Sequence, residues 1–218
     1  MPATGLSMNG NKVISTNTHA QVKKKLVAAV GRLLARVGFS RLNEDLVVEE
    51  AGVKRINIFR FFGGLPGLVS AFGESGDFWP STSELLAETA ADFPDLTPEE
   101  QMSAFFKSLL TCLRRRPQTL DILAWETLER NELSRRLEDI RVRTALEYFE
   151  HLHGEIPDDI DLSAVVALLA GAVFFLSVQS RNMRTFGGID LQSDAGWKRI
   201  EQAIELLMRG SLSGPGKA

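Results

Sequence analysis

A single cysteine, Cys112, stands among 218 residues, so no intramolecular disulfide framework can form and the chain suits a reducing compartment. Its place in an apolar helical pattern reads as a buried, unreactive thiol. Histidine is almost as scarce. His19, His151 and His153 offer no i, i+4 pair beside a carboxylate, and the two-residue spacing of His151 and His153 turns their rings to different sides of a helix. Gly63-Gly64 and Gly187-Gly188 lack the strand-then-helix context of a phosphate loop. No metal, no cofactor and no catalytic group is therefore expected. No alternating run of β-branched residues bounded by turn residues reads as a strand. Long apolar runs are missing too: the most apolar segment, Val165 to Val178, is shorter than the roughly 20 residues that span a bilayer, and Arg181 and Arg184 follow it closely. The first twenty residues are polar, without the charged start and apolar run of an export signal. A cytoplasmic chain with no membrane association is the expectation.

What is present is helical periodicity throughout, predicting an all-α fold. Val22, Leu26, Ala29, Val30, Leu33, Leu34 and Val37 recur at three- and four-residue intervals, and Gly38 stops that helix. A second helix opens at Asn43, a good N-cap, and buries Leu46, Val47 and Ala51. Gly52 makes a sharp turn. A third helix, about Lys54 to Phe62, is expected to turn Ile58, Phe59 and Phe62 inward and to project Lys54, Arg55, Asn57 and Arg60, side chains suited to phosphates and base edges. Three short helices with a turn between the last two outline a helix-turn-helix. The expected division is a disordered arm over 1–20, a DNA-binding unit over 21–72, a larger helical unit over 73–212 and a flexible tail over 213–218.

The run Gly38-Phe39, eleven residues, Ala51-Gly52-Val53, then Ile58-Phe59-Arg60-Phe61-Phe62 and Leu68 resembles the DNA-binding domain of the tetracycline-repressor (TetR) family of bacterial regulators. It departs from that family at Phe59, where a Tyr is usual, and at Leu65, where a Lys opens the fourth helix. Lys54 replaces a common Ser, and Ile56 a common Gly. Each lost charge-assisted phosphate contact costs about 1–3 kcal/mol. Lys24, Arg41 and Asn43 join Lys54, Arg55, Asn57 and Arg60 as expected DNA contacts. The resemblance implies a ligand-responsive repressor on a palindromic operator in double-stranded DNA; the departures leave open a small-molecule-binding or interaction protein that has lost specific DNA binding.

Charge is segregated along the chain. Residues 1–74 carry ten Lys or Arg and five Asp or Glu, while the remainder carries 15 basic and 23 acidic residues. A basic head on an acidic body suits one-ended contact with DNA, although Lys23-Lys24-Lys25 taken alone also fits a solvated helix face.

Beyond Phe72, Thr97-Pro98-Glu99-Glu100 is a helix start with a capping box, and Arg114-Arg115-Arg116 complements the negative end of that helix. Further helices are expected over about 117–131, 133–153, 162–186 and 194–212. The segment 163–178 is apolar on nearly all sides, so one face needs a cover outside its own domain. The last helix, with Trp197, Ile200, Ile204, Leu207 and Met208, is a candidate cover. The resemblance implies that these two helices meet their copies in a homodimer. It also implies an effector pocket in the body, for which Phe105, Leu109, Trp125, Glu126, Phe174, Gln179 and Met183 are the candidates. Apolar walls with few polar groups favour a small apolar or aromatic effector.

Overall fold

The computed structural model describes residues 10–87, 89, 91–154, 156 and 160–212, with side chains from Thr18 onward. Among them ten α-helices, one short 3-10 helix (Phe93–Asp95) and one β-ribbon of two two-residue strands are found, so the fold is all-α. Helix α1 spans Gly10–Val37 and begins well before Val22. Residues 10–20 of the expected arm are thus helical, since no Pro or Gly interrupts the chain from Asn11 to Val30 and a helix once nucleated propagates. Residues 1–9 and the expected tail lie outside the described residues.

Helices α2 (Glu44–Ala51) and α3 (Ile56–Phe62) follow the predicted chemistry. The Asn43 side chain accepts the Leu46 N–H at 3.0 Å, and Gly52, at φ 63°, closes α2 in the left-handed conformation that favours glycine. Leu26, Ala29, Val30, Leu33 and Leu34 of α1 are buried with Val47 and Ile58. Arg32 and Arg36 converge on Glu50 at 2.7 and 2.9 Å, which fastens α1 to α2 and holds the Glu50 carboxyl below its usual range. Helix α4 (Leu65–Gly73) buries Leu68, Val69 and Phe72, and packs on both α1 and the body.

In the body, α5 (Thr82–Leu86) starts at a Ser81 cap, and α6 (Pro98–Arg114) starts at the expected capping box, with Thr97 N–H donating to Glu100 at 2.9 Å. Helices α7 (Pro117–Glu126) and α8 (Glu132–Phe149) are shorter than read from sequence. Two arginines of the run are held structurally: Arg114 reaches Asp194 at 3.0 Å and lies over the Trp197 ring, while Arg116 reaches Glu84 at 2.6 Å. Cys112 is buried and its thiol donates to Glu84, and both burial and that carboxylate push the thiol upward.

Helix α9 spans Leu162–Gln179, ending seven residues before the expected Phe186. The missing stretch instead turns and enters β1 (Thr185–Phe186), which pairs antiparallel with β2 (Ile189–Asp190) around Gly187 and Gly188. Both glycines have positive φ, 55° and 78°, as a type I′ hairpin turn requires. Helix α10 (Asp194–Leu212) closes the described chain and packs along α6. It does not cover α9 within the chain; α9 rests on α6 and α7. At 18 residues and mean hydropathy 2.2, α9 reaches the lower limit of a membrane span, and Ala164, Ala167, Leu168, Gly171, Ala172 and Phe175 form an exposed stripe along it.

Candidate nucleic-acid interface and effector cavity

Seven residues are enough for α3 to present two faces. Ile58, Phe61 and Phe62, three and four positions apart, turn to the head core, leaving Ile56, Phe59 and Arg60 outside. Phe59 is 50% exposed, not buried as its apolar character suggested, and Ile56 is 65% exposed. The head core meets the arc of α3 that runs from Phe61 through Ile58 to Phe62, and Phe59 lies just outside it. Arg60 is exposed on α3 and Lys54 in the turn that precedes it, and Asn57 is half-buried.

Arg55 is placed differently from expectation. Its guanidinium pairs with Asp45 and approaches Glu44 at 3.7 Å, so it ties the start of α3 to the first turn of α2. Asn43 is likewise engaged, capping α2 while its amide donates to the Arg41 carbonyl at 3.2 Å. Arg41 is exposed in the loop between α1 and α2. Lys24 lines a groove between α1 and α2 with Lys25, Arg32 and Glu50. Lys23, of the basic run on α1, places its ammonium 5.3 Å from the centre of the Phe61 ring that Arg60 approaches at 5.7 Å. One aromatic ring thereby gathers cations from α1 and α3 at a common edge.

Head and body meet at the end of α7. Glu129 Oε2 accepts the N–H groups of Phe39 at 2.6 Å and Ser40 at 2.9 Å, just past the end of α1. Trp125 donates its indole N–H to the Ala35 carbonyl at 3.1 Å, and that carbonyl belongs to the last turn of α1, where intrahelical partners run out. Gly38 lies beneath both side chains; a Cβ there would come within 2.8 Å of Glu129 and 2.9 Å of Trp125. Trp125, expected in the effector pocket, is therefore a fastening between the two units. An aromatic residue on an amphipathic helix carries no sequence mark of which neighbour it meets.

Two adjoining cavities open in the body. One, of about 240 Å³, has mainly apolar walls from Trp79, Leu85, Phe105, Leu109, Phe149, Val166, Ala170 and Phe174. The other, of about 570 Å³, is lined in part by Leu123, Glu126, Arg130, Phe175, Val178, Gln179 and Asn182. Arg141 and Phe174 belong to both. Of the expected pocket residues, Phe105 and Leu109 line the first, Glu126 and Gln179 the second, and Phe174 both. Met183 lines neither, because α9 ends at Gln179 and the chain turns away from the helical register. Trp79 and Arg141 were missed: an aromatic in a loop and an arginine amid the charged residues of α8 have no period to reveal them.

At the junction, one Arg141 nitrogen reaches both oxygens of Glu126, at 2.7 and 2.8 Å, and the guanidinium carbon lies 5.7 Å from the centre of the Trp79 ring. Both side chains of the pair are largely withdrawn from solvent, at 14% and 10% exposure. Burial raises the Glu126 carboxyl above its ordinary range, against the opposing pull of Arg141. No group of three or more metal-ligating side chains is found among the described residues.

No family model and no curated protein sequence matches this chain. Solved structures do resemble it. A TetR family transcription regulator from Marinobacter aquaeolei VT8 superposes with a TM-score of 0.55 at 14% identity, covering 91% of this chain and 97% of that one. A TetR-like transcriptional regulator from Rhodococcus sp. RHA1 gives 0.55 at 18% identity, covering 88% and 96%. The fatty acid degradation regulator FadR from Bacillus halodurans gives 0.56 at 13% identity, covering 90% and 97%. With head and body aligned together in each, the chain has the all-helical fold of TetR family transcription regulators.

Proposed function

We propose that this chain is a DNA-binding transcriptional regulator, a ligand-responsive repressor that acts in the cytoplasm and binds a palindromic operator as a homodimer. One observation carries the reading: the basic head exposes Arg60 on α3 and Lys54 in the turn just before it, with Lys23 held beside Arg60 at the Phe61 ring. Lys24 and Arg41 add exposed cations for phosphates, which supply most non-specific affinity. The apolar stripe of α9 and the exposed Leu206 and Leu207 of α10 would be covered by their copies across a two-fold axis. Such a dimer would set two α3 helices about one DNA turn apart, roughly 34–36 Å or a multiple of it. The body cavities would hold a small apolar effector, and no enzymatic step is assigned.

A second reading, a small-molecule-binding protein without operator recognition, is favoured by the engagement of Arg55 with Asp45 and Glu44. Fluorescence anisotropy separates the two. The purified chain is titrated against DNA from upstream of its own gene and against a scrambled duplex, at several salt concentrations. Preference for the upstream DNA with a steep salt dependence is expected. Equal affinity for both duplexes at every salt concentration would reject the regulator reading and leave the binder.

A further inference from the structure

The two body cavities share a wall made of Arg141 and Phe174, and the charge balance at that wall selects a ligand class. Facing Glu126 are Arg141 and Glu138 from α8 and Arg130 from the loop before α8. Arg130 is itself paired with Glu138 at 2.9 Å, so two cations balance two carboxylates. A guanidinium cannot lose its proton in a protein. An incoming cation would leave the cluster with a surplus positive charge and no side chain able to discard it. An incoming anion meets a different situation: Glu126 can give up Arg141 and either take a proton from solvent or turn to Arg130. The raised carboxyl of Glu126 makes the first route accessible.

Geometry supports the same exchange. Only one nitrogen of the Arg141 fork is engaged by Glu126, and among the described residues no other hydrogen-bond partner of that guanidinium is found. The fork therefore keeps N–H donors for a second carboxylate, the planar group that matches it best. Beyond the fork, Leu85, Phe105, Leu109, Phe149 and Val166 supply walls for a hydrocarbon body.

We propose that the paired cavities bind an apolar molecule carrying one carboxylate, with the carboxylate taking the place of Glu126 on Arg141 and the hydrocarbon filling the smaller lobe. This rests on the effector reading above and narrows it to one chemical class. A cationic or purely neutral effector is the contrary outcome.

The test uses the full chain and three probes, decanoate, decanol and decyltrimethylammonium, each with a ten-carbon chain and each titrated by calorimetry. Decanoate is expected to bind at least about tenfold more tightly than decanol, the scale of one charge-assisted contact, with the ammonium weakest. Arg141→Gln should bring decanoate down to the affinity of decanol. Glu126→Gln, which removes the competing carboxylate, should tighten decanoate and leave decanol unchanged; this arm stands if the Arg141 variant fails to fold. Equal binding of decanoate and decanol by the parent chain, or tightest binding of the ammonium, would overturn the carboxylate class while leaving an effector cavity. Binding of none of the three would overturn both.

Discussion

Replacing Glu129 by Ala should loosen the head from the body, and the structure allows the cost to be worked out. The carboxylate accepts two backbone N–H groups through one oxygen, from Phe39 at 2.6 Å and Ser40 at 2.9 Å. Hydrogen bonds to a charged acceptor contribute about 1.5–3 kcal/mol each when the partner is withdrawn from water. Ser40 is exposed and water will replace its acceptor, whereas Phe39 is buried and its N–H has little access to solvent. The expected loss is therefore that of one bond, about 2 kcal/mol. For a chain of this size that corresponds to a fall in Tm of about 4–8 °C. Glu129→Gln keeps an oxygen acceptor and should lose about half as much. Trp125→Phe keeps the ring but strands the Ala35 carbonyl, at about 1 kcal/mol. Since both side chains close on the same glycine, the double variant should fall short of or exceed the sum by about 0.5 kcal/mol or more. Hydrogen exchange resolved to single amides locates the effect: Phe39 and Ser40 should exchange faster in Glu129→Ala, while buried amides of α6 should respond only to the global loss. Unchanged exchange at those two amides, with an unchanged Tm, would refute the fastening.

Other substitutions probe the remaining parts. Arg60→Ala should weaken all DNA about equally and reduce the salt slope by about one, and an unaltered slope would remove it from the phosphate contacts. Because Ile56 and Phe59 are exposed on α3, apolar contact with thymine methyl groups is expected; an operator carrying uracil for thymine should bind more weakly to the parent chain but not to Phe59→Ala, and equal loss in both would exclude Phe59. Leu168→Glu, at a position 76% exposed on α9, should convert a dimer to monomers in sedimentation equilibrium without lowering helix content. With its carboxyl raised by burial, Glu126 binds a proton more tightly in the folded chain than in the unfolded one. Its contribution to stability is then most favourable below the unfolded value of about 4.5 and declines as pH rises through the raised folded value. The stability difference between parent and Glu126→Gln, followed by urea unfolding, should shift against the parent over that window, and a difference that grows with pH would contradict the sign.

Most of the fold was legible because its signals are local. Helix α6 is announced by Thr97 and Glu100 reading each other's backbone, and α2 by the cap at Asn43, both within four residues. Leu26, Val30, Leu33 and Leu34 share one face by spacing alone and are buried together. The hairpin at Gly187-Gly188 was also written locally, as a glycine pair between Phe186 and Ile189, but the apolar stretch before it invited an unbroken helix. The outward turn of Phe59 was not legible, because Ile58, Phe59 and Phe62 satisfy the i+3 and i+4 spacings as well as Ile58, Phe61 and Phe62 do, and only the packing of α3 on the head decides between them.

The site was less legible, because its parts are joined across long separations. Phe105, Leu109 and Phe174, expected at an effector pocket, line the smaller cavity, since a helix facing a core can also face a hole in it. Trp125 and Glu126 adjoin in sequence, yet one points to Ala35 in the head and the other to Arg141 in the body. About 100° of rotation per residue separates them on the helix, and only the positions of α1 and α8 decide what each side chain meets. The same turn of α7 thus borders the cavity and grips the end of α1. A ligand that takes the place of Glu126 on Arg141 acts on the helical turn that also carries Trp125, so occupation of the cavity is expected to be felt at Ala35. A decanoate-saturated chain should accordingly show altered Trp125 fluorescence or indole N–H shift by NMR, assigned by loss of the signal in Trp125→Phe, and an indole signal indifferent to a ligand that does bind would uncouple the cavity from the head.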